Sequence, residues 1–561
     1  MLLSDRRRGL WFGKHWFVIV AVTMLAHGFL LLSDAVIWDG WHNIYWMKHG
    51  KWDWMYRIHS ECGIPMACYL QWMLSYFPDS NLASKYLSLA LLMASGFCVY
   101  YIGRNSNFLS AGEALVLSLL AITYPGFHLH GEIAIFFYSL CYTLFLAGAL
   151  LALRAEQHMG RYHLVLRVLA LGCFLVSFTT NSLLVFYFGF LILLFLVRSR
   201  RRKLSLTKPG FRAWGTMSDY LLLPFLFWLW KEVFTKRHGF YENYNRIEFS
   251  VSQLRRGYMD CLSGPVRHVL RDAALDVFSM PVVWIIVVGF VAAAAVSIAR
   301  SQTNRGGAIR GVQIFLFGLV IFLMAAFPYI LVGQRFGTWG WVTKNSLLLG
   351  LPIATILVGF GKTLSSMLPT TRYWISGGGV VLLIAFAVAD ARTHFRWQAM
   401  SVKEQSISYQ LTRLPGVRDY SLIEVRDSFH IPRTIDTYPT IVWTYQFGSA
   451  LGELRCVAFE ARDYGPSPMG GLHKPGLYTS KEVDQIIEAT TVPYTLTTID
   501  RSGKQGILTI QRGDQANSIS SMVGRYLYYR FVRSDKMETF LPRIARIELL
   551  PRQPGLNVPR D

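Results

Sequence analysis

The residues best suited to chemistry lie in one stretch, residues 33–61, directly after the first long apolar run. Asp39 stands between Trp38 and Trp41, and partial loss of water around its carboxylate would raise its pKa and suit it to work as a general base. Asp34 is a second candidate for this role. The stretch equally fits an aromatic belt at a membrane interface with ordinary surface acids, in which Asp39 caps a helix. Two further candidates here, for contact with a sugar or an acceptor, are His42 and His59.

Another acid, Glu132, ends the motif HLHGE at 128–132, just before the next apolar run. An acid at the start of a membrane span is costly unless it faces a cavity or a partner, so Glu132 is also a catalytic candidate. The alternative is that it favours the helix N-terminus through the helix dipole. His128, His130 and Glu132 alternate along the chain. Three such residues without a fourth are a weak signal for a metal, and we expect no metal site.

Two further loops supply groups that suit a phosphate and a sugar. Arg335 and Lys344 flank the motif GTWGW, where an arginine fork and a lysine ammonium could hold a phosphate. The alternative is that both side chains snorkel at a membrane surface. Residues 236–245 read KRHGFYENYN, and amides and aromatic faces bind sugar hydroxyls and C–H faces. The candidates from this loop are Lys236 and Arg237 for a phosphate, and Tyr241, Asn243 and Tyr244 for a sugar or an acceptor.

The composition is that of a polytopic membrane protein. Of 561 residues, 53% are hydrophobic and only 16% are charged, and the mean hydropathy is +0.32. The net charge of +22 lies largely in short loops beside apolar runs, which is typical of cytoplasmic loops and gives no reason to expect a nucleic-acid partner. The seven cysteines are scattered, without metal-ligand spacing or a disulfide framework.

Hydropathy predicts about 11 transmembrane helices, with a shorter apolar segment at 64–77 that is re-entrant or interfacial. Basic residues at 6–8 and in RSRRRK at 198–203 place the N-terminus and the loop at 198–212 in the cytoplasm. The loop at 236–277 is predicted to lie outside the cytoplasm. It departs from the tendency of basic residues to lie in cytoplasmic loops, because it also carries many cations. The predicted spans are 16–32, 86–103, 113–127, 133–153, 164–180, 183–197, 220–234, 282–299, 312–332, 345–360 and 373–389.

We predict a transmembrane module at 1–390 and an extracytoplasmic α+β domain at 391–561. From about residue 391 charged residues, Gly and Pro recur, and no run is long enough to span a membrane. Alternating stretches at 420–427, 454–462 and 506–513 predict strands, and 480–490 predicts a helix. A domain of this length is large enough to have its own core.

The whole architecture resembles the GT-C superfamily, which are integral membrane glycosyltransferases that use polyprenyl-phosphate-linked sugars. By position, Asp39 matches the catalytic acid of that family's first outer loop and Glu132 the acid of its second, while Arg335 and Lys344 match lipid-phosphate ligands of a later loop. The tail has no WWDYG-type motif and the second outer loop has no DxD, so the resemblance is not to oligosaccharyltransferases. The first loop also lacks the paired acidic dipeptide that is common in protein mannosyltransferases.

The resemblance implies an inverting enzyme of the bacterial inner (plasma) membrane that modifies a surface glycan or lipid. The lipid-linked sugar would be a substrate, with no cofactor and no metal, and the partners would be the donor, the acceptor and membrane lipids. Two other classes remain open: a glycan polymerase or flippase, and a non-catalytic envelope assembly protein. A flippase needs ionisable groups deep in its spans, and a scaffold should tolerate the loss of Asp39. The sequence has no P-loop, nucleophile elbow or zinc motif, so an ATP-driven pump is not expected.

Overall fold

The structure is a computed structural model that describes residues 3–157, 160–201, 217–242, 246–247, 249–301, 307–431, 440–452, 457–460 and 504–551. Most of these residues are helical, and a small sheet forms near the C-terminus. The α-helices are Leu3–His27, Gly40–Lys48, Trp52–Glu61, Met66–Leu74, Ser80–Asn105, Ala111–Ile122, Phe136–Ala155, Arg161–Ser177, Asn181–Arg201, Ser218–Phe234, Val251–Cys261, Val269–Val277, Val282–Ser301, Ala308–Leu331, Gly350–Met367, Arg372–Leu411, Thr440–Leu451, Ile519–Phe531 and Met537–Phe540.

Several helices are long and apolar enough to cross a membrane, which agrees with a membrane-embedded protein. Six pass by length and composition, or seven if the bent pair at 251–297 counts as one span. Each predicted span overlaps a helix. The helices of the other predicted spans are shorter, less apolar or bent. The six are Lys14–Leu32, Ser80–Asn105, Phe136–Ala155, Asn181–Ser199, Ala308–Leu331 and Tyr373–Leu411.

The predicted span at 113–127 differs most from what is observed. Its helix, Ala111–Ile122, has 12 residues and is therefore about 18 Å long, well short of a bilayer core. Ser110 caps its N-terminus, and Glu113 returns a hydrogen bond to the Ser110 backbone in a capping box. Residues 123–135 follow as a non-helical segment, and Glu132 of this segment contacts Ile37 of the first loop.

Helix Arg372–Leu411 joins the two parts of the chain. Its 40 residues make it about 60 Å long, roughly twice the thickness of a bilayer core. The predicted domain boundary at 390/391 therefore falls inside a continuous helix. The second half of this helix contributes Trp397, Met400, Ile407 and Leu411 to the core of the C-terminal domain, so the domain is built directly on the end of a long apolar helix.

The C-terminal sheet has four strands in the order β2-β1-β3-β4. They are β1 Tyr420–Asp427, β2 Val457–Glu460, β3 Lys504–Arg512 and β4 Ala545–Pro551. Strand β1 pairs in parallel with both β2 and β3, while β3 and β4 are antiparallel. This confirms the predicted strands at 420–427 and 506–513, and β2 lies within the predicted 454–462. The helix predicted at 480–490 lies outside the described residues.

The C-terminal domain and the loops at one end of the helices share a single hydrophobic core. Ala35 and Ile37 from the first loop, together with Leu129 and Ile135, are buried in the same cluster as Ile423 and Leu508 of the sheet. Because these residues are buried on both sides, the loop that carries Asp34 and Asp39 is held between the apolar helices and the domain. We call this end of the molecule the domain face.

Candidate functional site

Residues 33–37 form an extended segment, which we call the first-loop segment, and two buried charged side chains hold it in place. The Lys85 ammonium donates hydrogen bonds to the carbonyls of Ser33 and Ala35, at 2.9 and 2.6 Å. The Glu132 carboxylate accepts a hydrogen bond from the Ile37 N–H at 2.7 Å. These contacts fix both ends of the segment, and so they fix where the following residues, Trp38 and Asp39, are placed.

The WDGW motif makes a sharp turn at the end of this segment. A Cβ at position 40 would clash with the Glu132 carboxylate, so glycine allows the acid to lie directly against the backbone. Trp38 has a φ of +45°, in the left-handed region that large side chains rarely adopt. Its ring stacks on Trp341, with ring centroids 5.9 Å apart and an angle of 10° between the rings. Such local strain is commonly found at functional sites.

Asp39 precedes helix Gly40–Lys48, but its carboxylate makes no hydrogen bond that caps the helix. Within the described part of the chain, no hydrogen bond or ion pair to this carboxylate is found. Burial raises the pKa of Asp39 to about 6, and the positive charge of Lys344 opposes that rise. A carboxylate with such a pKa is ionised at neutral pH yet holds a proton readily, which suits a general base.

Lys344 approaches the same place from the 3-10 helix Trp341–Ser346. Its ammonium lies 5.1 Å from the centre of the Trp341 ring, in a cation–π contact. Thr343 anchors this loop because its hydroxyl accepts a hydrogen bond from the His128 N–H at 3.1 Å. Asp39 and Lys344 thus lie near each other beside a stacked tryptophan pair, and we call Trp38, Asp39, Trp341 and Lys344 the Asp39 site.

The loop at 235–241 closes against the first loop from another side. The Arg237 guanidinium donates to the Cys62 carbonyl at 3.3 Å, and the His238 N–H donates to the Glu61 carbonyl at 3.3 Å. Burial raises the pKa of the Cys62 thiol to about 12, with a hydrogen bond to Tyr241 and the charges of Asp39, Arg237 and Glu61 as further influences. Arg237 and Tyr241 are therefore neighbours of the Asp39 site.

Other predicted residues of that loop are placed differently. Lys236 is exposed to solvent, and no described contact directs its side chain toward Asp39. Asn243 and Tyr244 lie outside the described residues, so their predicted role in binding a sugar stays a prediction.

Glu132 is close to Asp39, but its geometry differs from that of the predicted catalytic acid. It is 1% exposed, and its two oxygens accept from the N–H groups of Ile37 and Ala134. Burial raises its pKa, and the nearby Lys85 charge partly offsets that effect. A carboxylate that accepts from two backbone N–H groups positions the loop, so the structure gives Glu132 a supporting contact, and its catalytic role stays a prediction.

Asp34 was predicted as an alternative base, and in the structure its carboxylate is already bound by other side chains. Its carboxylate accepts a hydrogen bond from the Tyr526 hydroxyl at 2.6 Å and forms an ion pair with Arg530. Both partners belong to helix Ile519–Phe531 of the C-terminal domain. Asp34 therefore ties the first-loop segment to the domain.

The two histidines of the first loop pack in its interior. His42 and His59 are each 8% exposed. The His42 ring lies 4.6 Å from Trp46, and a ring nitrogen of His59 lies 2.7 Å from the Met55 carbonyl. Burial lowers the pKa of both, to about 3 for His42, so both rings are neutral at pH 7. Their predicted contact with a sugar or an acceptor is not supported by this position.

Arg335 is half-buried, and only its carbonyl has a described link to the Asp39 site, through a hydrogen bond from the Asn345 amide at 2.7 Å. Its guanidinium forms no hydrogen bond or ion pair among the residues the structure describes. The backbone after it, at Phe336, packs instead against Gly264. The structure thus brings Lys344 to Asp39 without bringing the Arg335 side chain there.

Two features of this region were missed in the sequence. Lys85 lies inside an apolar helix, and a cation in such a helix is a recognisable signal of a polar partner. His27 at the end of the first helix contacts His394 at 3.1 Å and Asp390 at 3.5 Å, and its ring lies 4.9 Å from that of His130. The described hydrogen bonds of Glu132 are to Ile37 and Ala134, so the alternation of His128, His130 and Glu132 does not form a common three-residue site.

No group of three His, Cys, Asp or Glu side chains in the described ranges has an arrangement that could hold a metal ion. In comparisons with known proteins, no family model matches the chain, and no curated protein sequence matches it significantly.

Proposed function

We propose that the protein is a membrane glycosyltransferase that moves a sugar from a polyprenyl-phosphate donor to a glycan or lipid acceptor. The proposal places it in a bacterial plasma membrane with about 11 spans and with the domain face outside the cytoplasm. The observation that carries it is the Asp39 carboxylate, which has a raised pKa and lies beside Lys344 on a strained turn held by Lys85 and Glu132.

In the proposed reaction, Asp39 takes the proton of an acceptor hydroxyl as its oxygen attacks the anomeric carbon. The bond from that carbon to the donor phosphate oxygen breaks, and the polyprenyl phosphate leaves with the bonding electron pair. Lys344 and Arg237 would stabilise the charge on the leaving phosphate, which is the largest new charge in the transition state. A single displacement inverts the anomeric carbon, which agrees with the resemblance.

An apolar cavity among the long helices supports a substrate with a long hydrocarbon chain. It encloses about 610 Å³ and is lined mainly by apolar residues of six helices, including Val99, Leu146 and Phe317. A smaller cavity shares Val99 and Leu146 with it and extends to His130, two residues from Glu132. The proposed reaction requires that a lipid chain in these cavities has its head group directed toward the domain face.

The proposal predicts that Lys344 binds the donor phosphate. Undecaprenyl phosphate, the common product of many such donors, should bind to the full-length protein in nanodiscs more tightly than undecaprenol. The substitution Lys344→Gln should weaken the binding of undecaprenyl phosphate by roughly 10- to 100-fold, the usual worth of a hydrogen bond to a charged group. Microscale thermophoresis with a labelled protein would measure the difference.

The matched control is Lys536→Gln, which removes an exposed lysine of the C-terminal domain and should leave binding unchanged. Arg335→Ala should have a smaller effect than Lys344→Gln, because no described contact brings that guanidinium to the Asp39 site. Equal binding of the phosphate and the alcohol, or normal binding by Lys344→Gln, would overturn the assignment of this site to a lipid phosphate.

A further inference from the structure

The cations of the loop at 236–277 fall into two groups in the structure. Arg237 binds the Cys62 carbonyl of the first loop, whereas four arginines lie on one long helical segment farther along the chain. This segment runs from helix Val251–Cys261 through a π-helical stretch, Leu262–His268, to helix Val269–Val277. We call residues 251–278 the arginine helix.

The arginine helix has one face against the protein. Cys261, Pro265, Val269, Ala273 and Asp276 recur every three or four residues and are all buried. This spacing is that of a single helical face.

Polar contacts along its length fix this buried face to the protein. The Gln253 amide donates to the Ile330 carbonyl at 2.8 Å, and the Tyr124 hydroxyl donates to the Pro265 carbonyl at 2.6 Å. At the far end Arg396 forms an ion pair with Asp276 at 2.6 Å. The segment is therefore a firmly attached part of the domain face.

The opposite face combines arginines with apolar side chains. Arg255, Arg256, Arg267 and Arg271 are exposed and recur along the stripe that the buried residues leave open. Only Arg271 has a described acidic partner, its neighbour Asp272 at 3.0 Å. The same stripe exposes large apolar side chains, with exposed fractions of 60% for Met259, 48% for Leu262, 51% for Leu275 and 87% for Phe278.

The direction of the arginine helix explains this mixture. It turns through 118° relative to the apolar helix that follows it, Val282–Ser301. If that helix crosses the bilayer along its normal, the arginine helix lies within about 30° of the membrane plane. A helix in this plane buries its apolar side chains at the head-group boundary while its basic residues meet the lipid phosphates.

We propose that the arginine helix is a binding surface for the head groups of anionic phospholipids on the membrane leaflet at the domain face. The exposed stripe offers three arginines without an acidic partner among the described residues, next to apolar side chains that anchor in the leaflet. Because the surface shares no residue with the Asp39 site, this inference does not depend on the proposed transfer reaction. The inference also gives a role to the arginines of this helix, which lie at the domain face, where the predicted topology does not favour basic residues.

The test uses the full-length protein reconstituted in phosphatidylcholine bilayers. Electron paramagnetic resonance would compare the association of spin-labelled phosphatidylglycerol and spin-labelled phosphatidylcholine with the same chains. The wild type should prefer phosphatidylglycerol, and added salt should weaken that preference. The triple substitution Arg255→Gln, Arg256→Gln and Arg267→Gln should lower the preference by at least about fivefold, the worth of one basic residue near an anionic membrane surface.

A matched control removes the same charge from exposed positions of the C-terminal domain, with Arg418→Gln, Arg512→Gln and Arg546→Gln. This control should keep the preference. The inference is wrong if the wild type shows no preference, if salt leaves its preference unchanged, or if the arginine-helix and control variants lose it equally. Only an effect confined to the arginine-helix variant supports it, and the substitution Arg→Lys at the same three positions should then retain most of the preference.

Discussion

Asp34 and Asp39 are five positions apart on the same stretch of chain, yet the structure uses them in opposite ways. Asp34 is bound by Tyr526 and Arg530, so its charge is matched by partners from another domain. Asp39 has no such partner in the described part of the chain, and burial raises its pKa to about 6. One carboxylate contributes to holding the molecule together, and the other is kept available.

The difference lies in what holds each residue in place. Asp34 is held by its own side chain, whereas Asp39 is placed by its neighbours, through Lys85, Glu132 and the turn at Trp38 and Gly40. A half-buried acid that is fixed only through its backbone costs stability, and active sites accept this cost because a group without a partner can meet a substrate. Three predictions turn this comparison into measurements.

The largest expected effect is on turnover. Asp39→Asn should lower sugar transfer by about 10²- to 10⁴-fold, because asparagine keeps the size of the side chain but cannot accept the proton. For the wild type, kcat/KM should fall about tenfold per unit as the pH drops below about 6, since protonated Asp39 is inactive. Both the loss of rate in Asp39→Asn and the pH dependence of the wild type can be measured as the release of undecaprenyl phosphate from the lipid-linked sugars of a bacterial membrane extract.

Asp34→Asn is the matched control for turnover and should change the rate per folded molecule by only a few-fold. If Asp34→Asn abolishes transfer and Asp39→Asn does not, the two roles are reversed. If neither matters, the base is elsewhere, and a non-catalytic assembly protein becomes the better description.

The second effect is on stability, which Asp39→Asn should increase although it lowers turnover. The raised pKa means that folded Asp39 holds its proton between about pH 4 and about pH 6, while the unfolded chain has lost it. Wild-type stability should therefore fall as the pH rises through that window. Asp39→Asn removes this cost and should be more stable than wild type at pH 7.5 by roughly 1–3 kcal/mol, with little difference near pH 4. Thermal unfolding in detergent at the two pH values would measure it, and an Asp39→Asn protein that is less stable at pH 7.5 contradicts the raised pKa.

The smallest effect is that of the ion pair at the other end of the segment. Asp34→Asn should destabilise the docking of the C-terminal domain by about 1–2 kcal/mol, because Arg530 keeps its charge in a half-buried place without its partner. Limited proteolysis should show earlier cleavage of the domain. In a double-mutant cycle with Arg530→Gln, the two losses should not add, and full additivity would show that the pair contributes nothing.

The sequence predicted the elements better than it predicted their lengths. Apolar runs located the long helices, and alternating residues located β1 and β3, since both patterns follow from local geometry. The short helix Ala111–Ile122 and the continuous Arg372–Leu411 were not foreseen. Helix ends there depend on what the neighbouring chain must reach, which local hydropathy does not contain.

By itself, the sequence determined that long apolar helices dominate the chain, and it singled out the stretch that carries Asp39. It could do so because apolar composition demands burial, and because an acid flanked by tryptophans is locally unusual. Only the tertiary structure decided which carboxylate has no hydrogen-bond partner among the described residues. Asp34, Asp39 and Glu132 differ little as residues, and their roles diverge because Tyr526, Arg530, Lys85 and Ile37 come to them from distant parts of the chain. Contacts between residues so far apart in sequence depend on the packing of the whole fold, which no local pattern encodes.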